Sequence, residues 1–285
     1  MSTGDDDPSE IERILVRARE LSSVDFSAYK RSTLGRRIRL RVAMAGASSL
    51  AAYRSLVETD AAEGALLINA LLVKTTAMFR DPEVFQALRR ALLPRLFARR
   101  RAEGAETLRA WVPACSTGEE AYSIAMCLAE ASLAQPLAAS LLASDVDRAA
   151  LERVARAVYP AAAAADVPPE LAGRWLAPGA GGQLTVHPSL RAMVKSSFHD
   201  VVGSEFLAPP EAVVASFDLV SCRNLLIYLE PSTQQRLLMR LIKTAAPHGL
   251  LLLGPAESAP IHLLTELVPA AHRLPIYWID GSPAG

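Results

Sequence analysis

Apolar residues recur at helical spacing through the first hundred positions and then give way to short apolar runs. Residues 9–21 (SEIERILVRAREL) place Ile11, Ile14, Leu15 and Ala18 on one face with charges opposite. Ser9 followed by Glu10 and Glu12 suits a helix start, because acids there meet the positive end of the helix dipole. Similar patterning predicts helices over 27–44, 48–59 and 61–73. A longer helix is predicted over 81–102, with Asp81 as N-cap and Pro82 at its first position. From Leu108 the runs LRAWV (108–112), SLLAS (140–144), FDLVSC (217–222) and GLLLLG (249–254) alternate with helical stretches at 118–132, 147–157 and 231–246. That alternation predicts an α/β fold, a largely parallel sheet with helices on both faces. The segment HRLPIYWID (272–280) reads as a closing antiparallel strand at the sheet edge. Residues 161–193 break the rhythm with an alanine run, VPPE, GAGG and QLTVH, and read as a small antiparallel insertion.

A chain of 285 residues is about two domains long. With 51% hydrophobic residues it is not a disordered chain. Basic and acidic residues number 30 each, so any electrostatic recognition must come from local patches. Cys115, Cys127 and Cys222 have no metal-ligand spacing and are expected as reduced thiols. The five histidines form no ligand cluster, and no metal is expected. The N-terminus, MSTGDDDPSE, carries acids where a signal peptide needs bases, and no apolar run approaches the roughly 18 residues of a membrane helix. The expectation is a cytoplasmic protein without membrane insertion, monomeric by default.

The stretch WVPACSTGEEAYSIAM (111–126) carries the most chemistry. A strand ending at Val112 runs through a small-residue loop into a helix starting at Glu119 or Glu120, the place where open α/β sheets bind cofactors. Ser116 with Glu119, or Thr117 with Glu120, also fits a capping box, so the loop reads equally as a well-capped helix start. It is neither a dinucleotide fingerprint nor a triphosphate loop, and its carboxylate pair would repel phosphates. Asp145 ends the next apolar run, from which an acid accepts both hydroxyls of a ribose. A phosphate-free nucleoside with a positive centre satisfies both features, and S-adenosylmethionine is such a ligand.

Four blocks, TTAMFRDP (75–82), ACSTGEEAYSIA (114–125), ASDVDRAALERVARAVY (143–159) and FDLVSCRNLLIYL (217–229), occur in one order with GLLLLGPAES (249–258) behind them. With these the chain resembles the CheR-type chemotaxis receptor methyltransferases, from DFSAYKRSTLGRRI (25–38) to IYW (276–278). The resemblance implies an all-α N-terminal domain (1–80), a linker helix (81–106) and a Rossmann-like methyltransferase domain (107–283) with a β-subdomain inserted around 161–193. It implies methyl transfer from S-adenosylmethionine to glutamate side chains on the cytoplasmic helices of chemoreceptors, leaving S-adenosylhomocysteine. Carried over by position, Lys74, Thr76, Arg80, Glu120, Asp145, Asp200, Val201, Cys222 and Arg223 are implied as cofactor contacts. Arg80 and Tyr228 are implied beside the reacting groups. Lys74 and Asp200 depart from the family, which often has asparagine at each position. Without the resemblance, Arg80 reads as a solvated helix-entry arginine and Tyr228 as half-buried core.

The run YKRSTLGRRIRLR (29–41) holds Lys30, Arg31, Arg36, Arg37, Arg39 and Arg41 with no interleaved acid. It reads either as a solvated face or as a docking patch for an acidic partner such as a glutamate-bearing receptor helix, with Arg36, Arg37, Arg39 and Arg41 as the docking residues. It lacks aromatics for stacking bases, so nucleic acid is not the expected partner. Two other readings stand beside the enzyme: a non-catalytic cofactor-binding or receptor-docking module, and a methyltransferase acting on another substrate such as nucleic acid.

Overall fold

The computed structural model describes residues 8–22, 24–72, 76–212, 216–260, 263 and 265–279. The chain forms two compact units, Met1–Thr75 with Tyr228–Thr233, and Thr76–Ile227 with Gln234–Gly285.

The first unit is helical: α1 (Pro8–Ser22), α2 (Arg31–Met44), α3 (Leu50–Thr59) and α4 (Ala61–Leu71). The predicted face of α1, Ile11, Ile14, Leu15 and Ala18, is buried, against a core that includes Leu34, Ile38, Tyr53 and Leu67. Ser49 and Asp60 cap α3 and α4 by accepting backbone N–H groups from Ala52 and from Ala62 and Glu63. Helix α2 begins four residues later than its pattern predicts. Residues Phe26–Ala28 form a separate 3-10 turn, and the backbone there bonds to 228–230 instead of continuing the helix. Lys30 N donates to Tyr228 O (2.8 Å) and Glu230 N to Ala28 O (3.0 Å), while Tyr29 bridges Leu229.

The second unit opens with α5 (Pro82–Ala87) and α6 (Leu93–Ala102), joined through a π-helical turn at Leu88–Leu92. Then follow β1 (Thr107–Pro113), α7 (Glu119–Ala134), β2 (Ala138–Asp145) and α8 (Arg148–Arg156). The insertion contains β3 (Val158–Pro160), α9 (Pro169–Trp175), β4 (Leu176–Pro178), β5 (Gln183–Val186) and α10 (Pro188–Met193). The chain returns through β6 (Val194–Phe198), β7 (Phe217–Ser221), α11 (Pro231–Thr244), β8 (Ala245–Leu252), β9 (Leu267–Pro269) and β10 (Ile276–Ile279).

Seven strands line up as β6-β2-β1-β7-β8-β10-β9, parallel from β6 to β8 and antiparallel beyond. The central strand β7 is buried throughout, which explains its continuous apolar run. Helix α8 shows how its pattern is used: Ala150, Leu151 and Val154 face inward, and Asp147 caps the start by accepting from Ala149 N and Ala150 N. The insertion forms its own antiparallel sheet, β3-β5-β4. Two expectations change. Strand β10 is antiparallel but lies between β8 and β9, so β9 takes the edge. Strand β6, with sequence VKSSF and only Val194 and Ser197 buried, carries too little apolar patterning to announce itself.

Asp218, at the amino end of β7, is fully buried and accepts the Arg109 N–H at 2.7 Å. The Arg100 Nε of α6 lies 2.9 Å from its other oxygen, which fixes the helix end to the sheet. The Asp218→Ala variant, which leaves the Arg109 N–H unpaired and Arg100 with Glu103 as its remaining carboxylate, should lose about 2 kcal/mol of stability in chemical denaturation.

Candidate active site

Strand order places β1 between β2, which follows it, and β7, which the chain reaches only after the insertion. Such a reversal opens a crevice at the carboxyl ends of the strands. The loop leaving β1 lies there and is tightly wound: Ala114 (φ 50°), Ser116 (φ 50°) and Gly118 (φ 95°) are all left-handed. Two non-glycine residues in that region hold a conformation that costs free energy, maintained by the bonds around them. Cys115 N donates to Ser144 O (3.0 Å), Ser116 N to the Asp145 carboxylate (2.8 Å), and the Tyr159 hydroxyl to Thr117 O (2.8 Å). Gly118 has no room for a side chain, since a Cβ would meet Tyr159 Oη and Val154 Cγ2 at 2.8 Å.

The capping box expected here is not made. Gly118 is the N-cap of α7 and has no side chain to cap with. Thr117 Oγ1 donates instead to the Glu119 carboxylate (2.6 Å), and Glu120 turns toward β7.

Asp145 closes β2. One of its oxygens accepts from Ser116 N and the other from Asp147 N (2.9 Å), so each keeps a lone pair for a further donor. Burial pushes its carboxyl above the ordinary value, against the backbone N–H groups of Asp147, Ser116 and Val146. Asp200 and Val201 follow the end of β6, which is paired with β2 so that Phe198 stands opposite Asp145. The backbone ties them further, as His199 N donates to Asp145 O at 3.1 Å. Val201 is buried, and Asp200 closes a turn by accepting from Val202 N (2.9 Å) and Gly203 N (2.8 Å).

Between β1 and β7 stands a charged knot. Glu120 accepts from Ser221 Oγ (2.7 Å) and from the Arg223 guanidinium (3.2 Å). Burial pushes the Glu120 carboxyl up, while Arg223, the Ser221 bond and the charge of Arg80 oppose that push. The Arg223 side chain is 1% exposed; it also bonds Asp81 (2.5 Å) and Arg80 O (3.0 Å) and lies over the Phe85 ring at 5.5 Å. Asp81 therefore departs from its expected role. It holds the N-cap position of α5 in a left-handed conformation (φ 61°), makes no side-chain cap, and directs its carboxylate to Arg223. Cys222 is fully buried, its backbone N bonded to Leu252 O (3.0 Å) and its thiol pushed well up by burial, which leaves it no nucleophilic character. Thr76 and Arg80 are half-buried in the second unit, and Lys74 lies outside the described residues.

Tyr228 groups with the helical unit, where the Arg37 guanidinium sits 5.9 Å from its ring centroid. Arg37 also donates to Ala70 O at 2.7 Å. Arg36 and Arg39 are exposed. Arg41 is a correction to the docking set: its side chain is 11% exposed and both Glu63 oxygens accept from it at 2.7 Å, an arrangement shared with the Tyr53 hydroxyl. Sequence reasoning missed Ser221 and Asp81 as site residues. Ser221 lies within the FDLVSCRNLLIYL block, and only the structure shows its hydroxyl reaching Glu120 of α7.

A seven-stranded mixed sheet, parallel from β6 to β8, with a left-handed loop after β1 and an acid closing β2 gives the second unit a Rossmann-like methyltransferase frame. Residues 74–271 match the CheR methyltransferase SAM-binding domain and residues 9–72 the CheR methyltransferase all-alpha domain. The chain belongs to the CheR methyltransferase family. It is 29% identical over 252 residues to chemotaxis protein methyltransferase 2 of Pseudomonas aeruginosa, covering 87% of this chain and 86% of that protein. With the chemotaxis protein methyltransferase of Escherichia coli it shares 32% identity over 235 residues, 81% of this chain and 77% of that one. It also matches an uncharacterised 104.1 kDa protein of Rhodobacter capsulatus at 33% identity, covering 88% of this chain and 26% of that protein's length.

Gly118→Ala forces a Cβ into the Tyr159 and Val154 contacts at a positive φ. It should lower the unfolding free energy by about 2 kcal/mol in urea denaturation, whereas the open Gly46→Ala (φ 66°) should cost less.

Proposed function

We propose that this protein transfers the methyl group of S-adenosylmethionine to glutamate side-chain carboxylates on the cytoplasmic helical region of a chemoreceptor. The observation that carries the reading is Asp145, a half-buried carboxylate whose two oxygens accept backbone N–H groups from Ser116 and Asp147 and keep acceptor capacity for a further donor. That donor-hungry pair fits a ribose diol. The neighbouring Ser116 hydroxyl, buried without a hydrogen-bond partner, supports the same fit. Asp200 and Val201 stand beside Asp145 where an adenine would lie, and Thr76, Arg80, Glu120 and Arg223 would hold the amino-acid end of the cofactor. Cys222 would contribute backbone alone.

The bound cofactor supplies an electrophilic methyl on a sulfonium. A glutamate is ionised at neutral pH, with an ordinary pKa of about 4.3, so the protein needs no general base. Its work is alignment, worth up to roughly 7–11 kcal/mol in well-oriented systems, together with exclusion of water. In this reading Arg80 positions the incoming carboxylate and the Tyr228 hydroxyl orients it by one hydrogen bond. Arg36, Arg37 and Arg39 supply positive charge for an acidic receptor helix, Arg41 being committed to Glu63.

The test is incubation with methyl-labelled S-adenosylmethionine and a receptor cytoplasmic fragment, followed by base treatment. Label released as methanol supports a carboxyl ester; binding without transfer supports a non-catalytic module; label on nucleic acid supports the other substrate class. Asp145→Ala should weaken cofactor binding at least tenfold to a hundredfold by calorimetry, since each of the two ribose hydrogen bonds to a charged group is worth roughly that much. Protonation of Asp145 removes an acceptor, and burial raises its pKa. The Asp145 contribution to affinity, read as the difference between wild type and Asp145→Ala, should thus be flat above neutrality and fall on acidification at a pH higher than the ordinary aspartate value of about 3.9. Replacing Arg36 and Arg39 together by glutamate should raise the KM for the receptor fragment roughly three- to tenfold at low salt, an effect that shrinks as salt is added, with cofactor affinity unchanged.

A further inference from the structure

Glu257 lies in the turn after β8, and the methyl-transfer reading leaves it without a role. It is 6% exposed, and its carboxylate accepts three backbone N–H groups drawn from two loops. Gly254 N (2.6 Å) and Asn224 N (2.9 Å) bond one oxygen, and Ile227 N (3.4 Å) bonds the other. Gly254 belongs to the loop leaving β8, while Asn224 and Ile227 belong to the loop leaving β7, directly after Arg223. Asn224 is left-handed (φ 62°), a conformation asparagine tolerates better than most residues. The clamp is closed tightly: a Cβ on Gly254 would meet the Glu257 carboxylate at 2.8 Å and both nitrogens of Asn224 at 2.9 Å. The charge of Glu257 is felt in the site as well, since it contributes to the upward shift of Glu120.

We propose that Glu257 is a positioning residue for methyl transfer. It fixes the backbone of the β7 loop, from which Arg223 reaches Glu120 and which leads into Tyr228. The inference rests on the methyl-transfer reading above. Glu257 acts through the loop, so its loss should appear in the rate of the aligned step more than in binding.

The experiment compares wild type with Glu257→Gln, Glu257→Ala and Gly254→Ala in the full chain. It measures kcat, the KM for the receptor fragment, cofactor Kd and amide hydrogen exchange at Asn224 and Ile227. Glu257→Ala should lower kcat about tenfold or more, with KM and cofactor Kd within about threefold, and exchange at both amides should speed up. Gly254→Ala should act in the same direction. Glu257→Gln keeps one acceptor oxygen for Gly254 and Asn224, so it should retain the fold and lose a smaller part of kcat. Wild-type kcat in Glu257→Ala would overturn the proposal. So would a parallel loss of cofactor affinity, thermal midpoint and kcat with exchange rising across the whole sheet, because that is the signature of a merely structural residue. If wild type itself transfers no methyl to the fragment, the reading of function fails separately. The exchange arm then decides the clamp: faster exchange confined to Asn224 and Ile227 upholds it, and unchanged exchange overturns it.

Discussion

The site depends on one buried guanidinium. Arg223 follows directly on strand β7 with its side chain almost wholly out of water, and a charge so placed is stable only when its donors are spoken for. Two separate segments meet most of that demand, the first turn of α7 through Glu120 and the entry of α5 through the Asp81 carboxylate and the carbonyl of Arg80, and only the Arg223 Nε has no hydrogen-bond partner. Glu120 in turn would be costly to bury without Arg223 and Ser221. The arrangement is reciprocal, and each segment's position is set by the others. Its consequence for chemistry is a polar floor whose charges are already held by protein partners, the condition under which fixed dipoles and charges are most effective.

Strain and satisfaction are balanced in the same way at the loop after β1. Its backbone turns through three left-handed residues. The conformation is over-determined by Asp145 from one side, by Ser144 from the adjoining strand, and by Tyr159 from the insertion. The carboxylate that would recognise a ribose therefore also shapes the loop against which that ribose would rest.

Much of this frame was legible before the structure. The period of α1 and α8, the apolar runs of β1, β2 and β7, and the acid at the end of β2 each follow from local patterning, because one strand or one helix face decides them. What escaped is what depends on distant partners. Helix α2 starts late because residues 228–230, two hundred positions away, take its first backbone bonds. Asp81 sits where an N-cap belongs, but an arginine 142 residues on claims its carboxylate. Arg41 belongs to a basic run and still points inward, because the Glu63 carboxylate on another helix, which also accepts from the Tyr53 hydroxyl, offers a buried acceptor. Spacing within an element cannot report such pairings, and Ser221 and Glu257 were silent for the same reason.

The small antiparallel sheet and its helix α9 are stitched to the larger body by side-chain bonds from Arg174 and Trp175 to Glu130 and from Arg89 to Glu170, and by two bonds that reach the backbone of the larger body: the Tyr159 hydroxyl on Thr117 O, and the Ala163 carbonyl on Met78 N. It is thus no detachable ornament. Excising it to make a minimal enzyme would strip a donor from the bend after β1 and an acceptor from the segment ahead of α5. A shortened version would need a grafted hydroxyl at the first point and a replacement carbonyl at the second before its catalytic scaffold could be compared fairly with that of the parent.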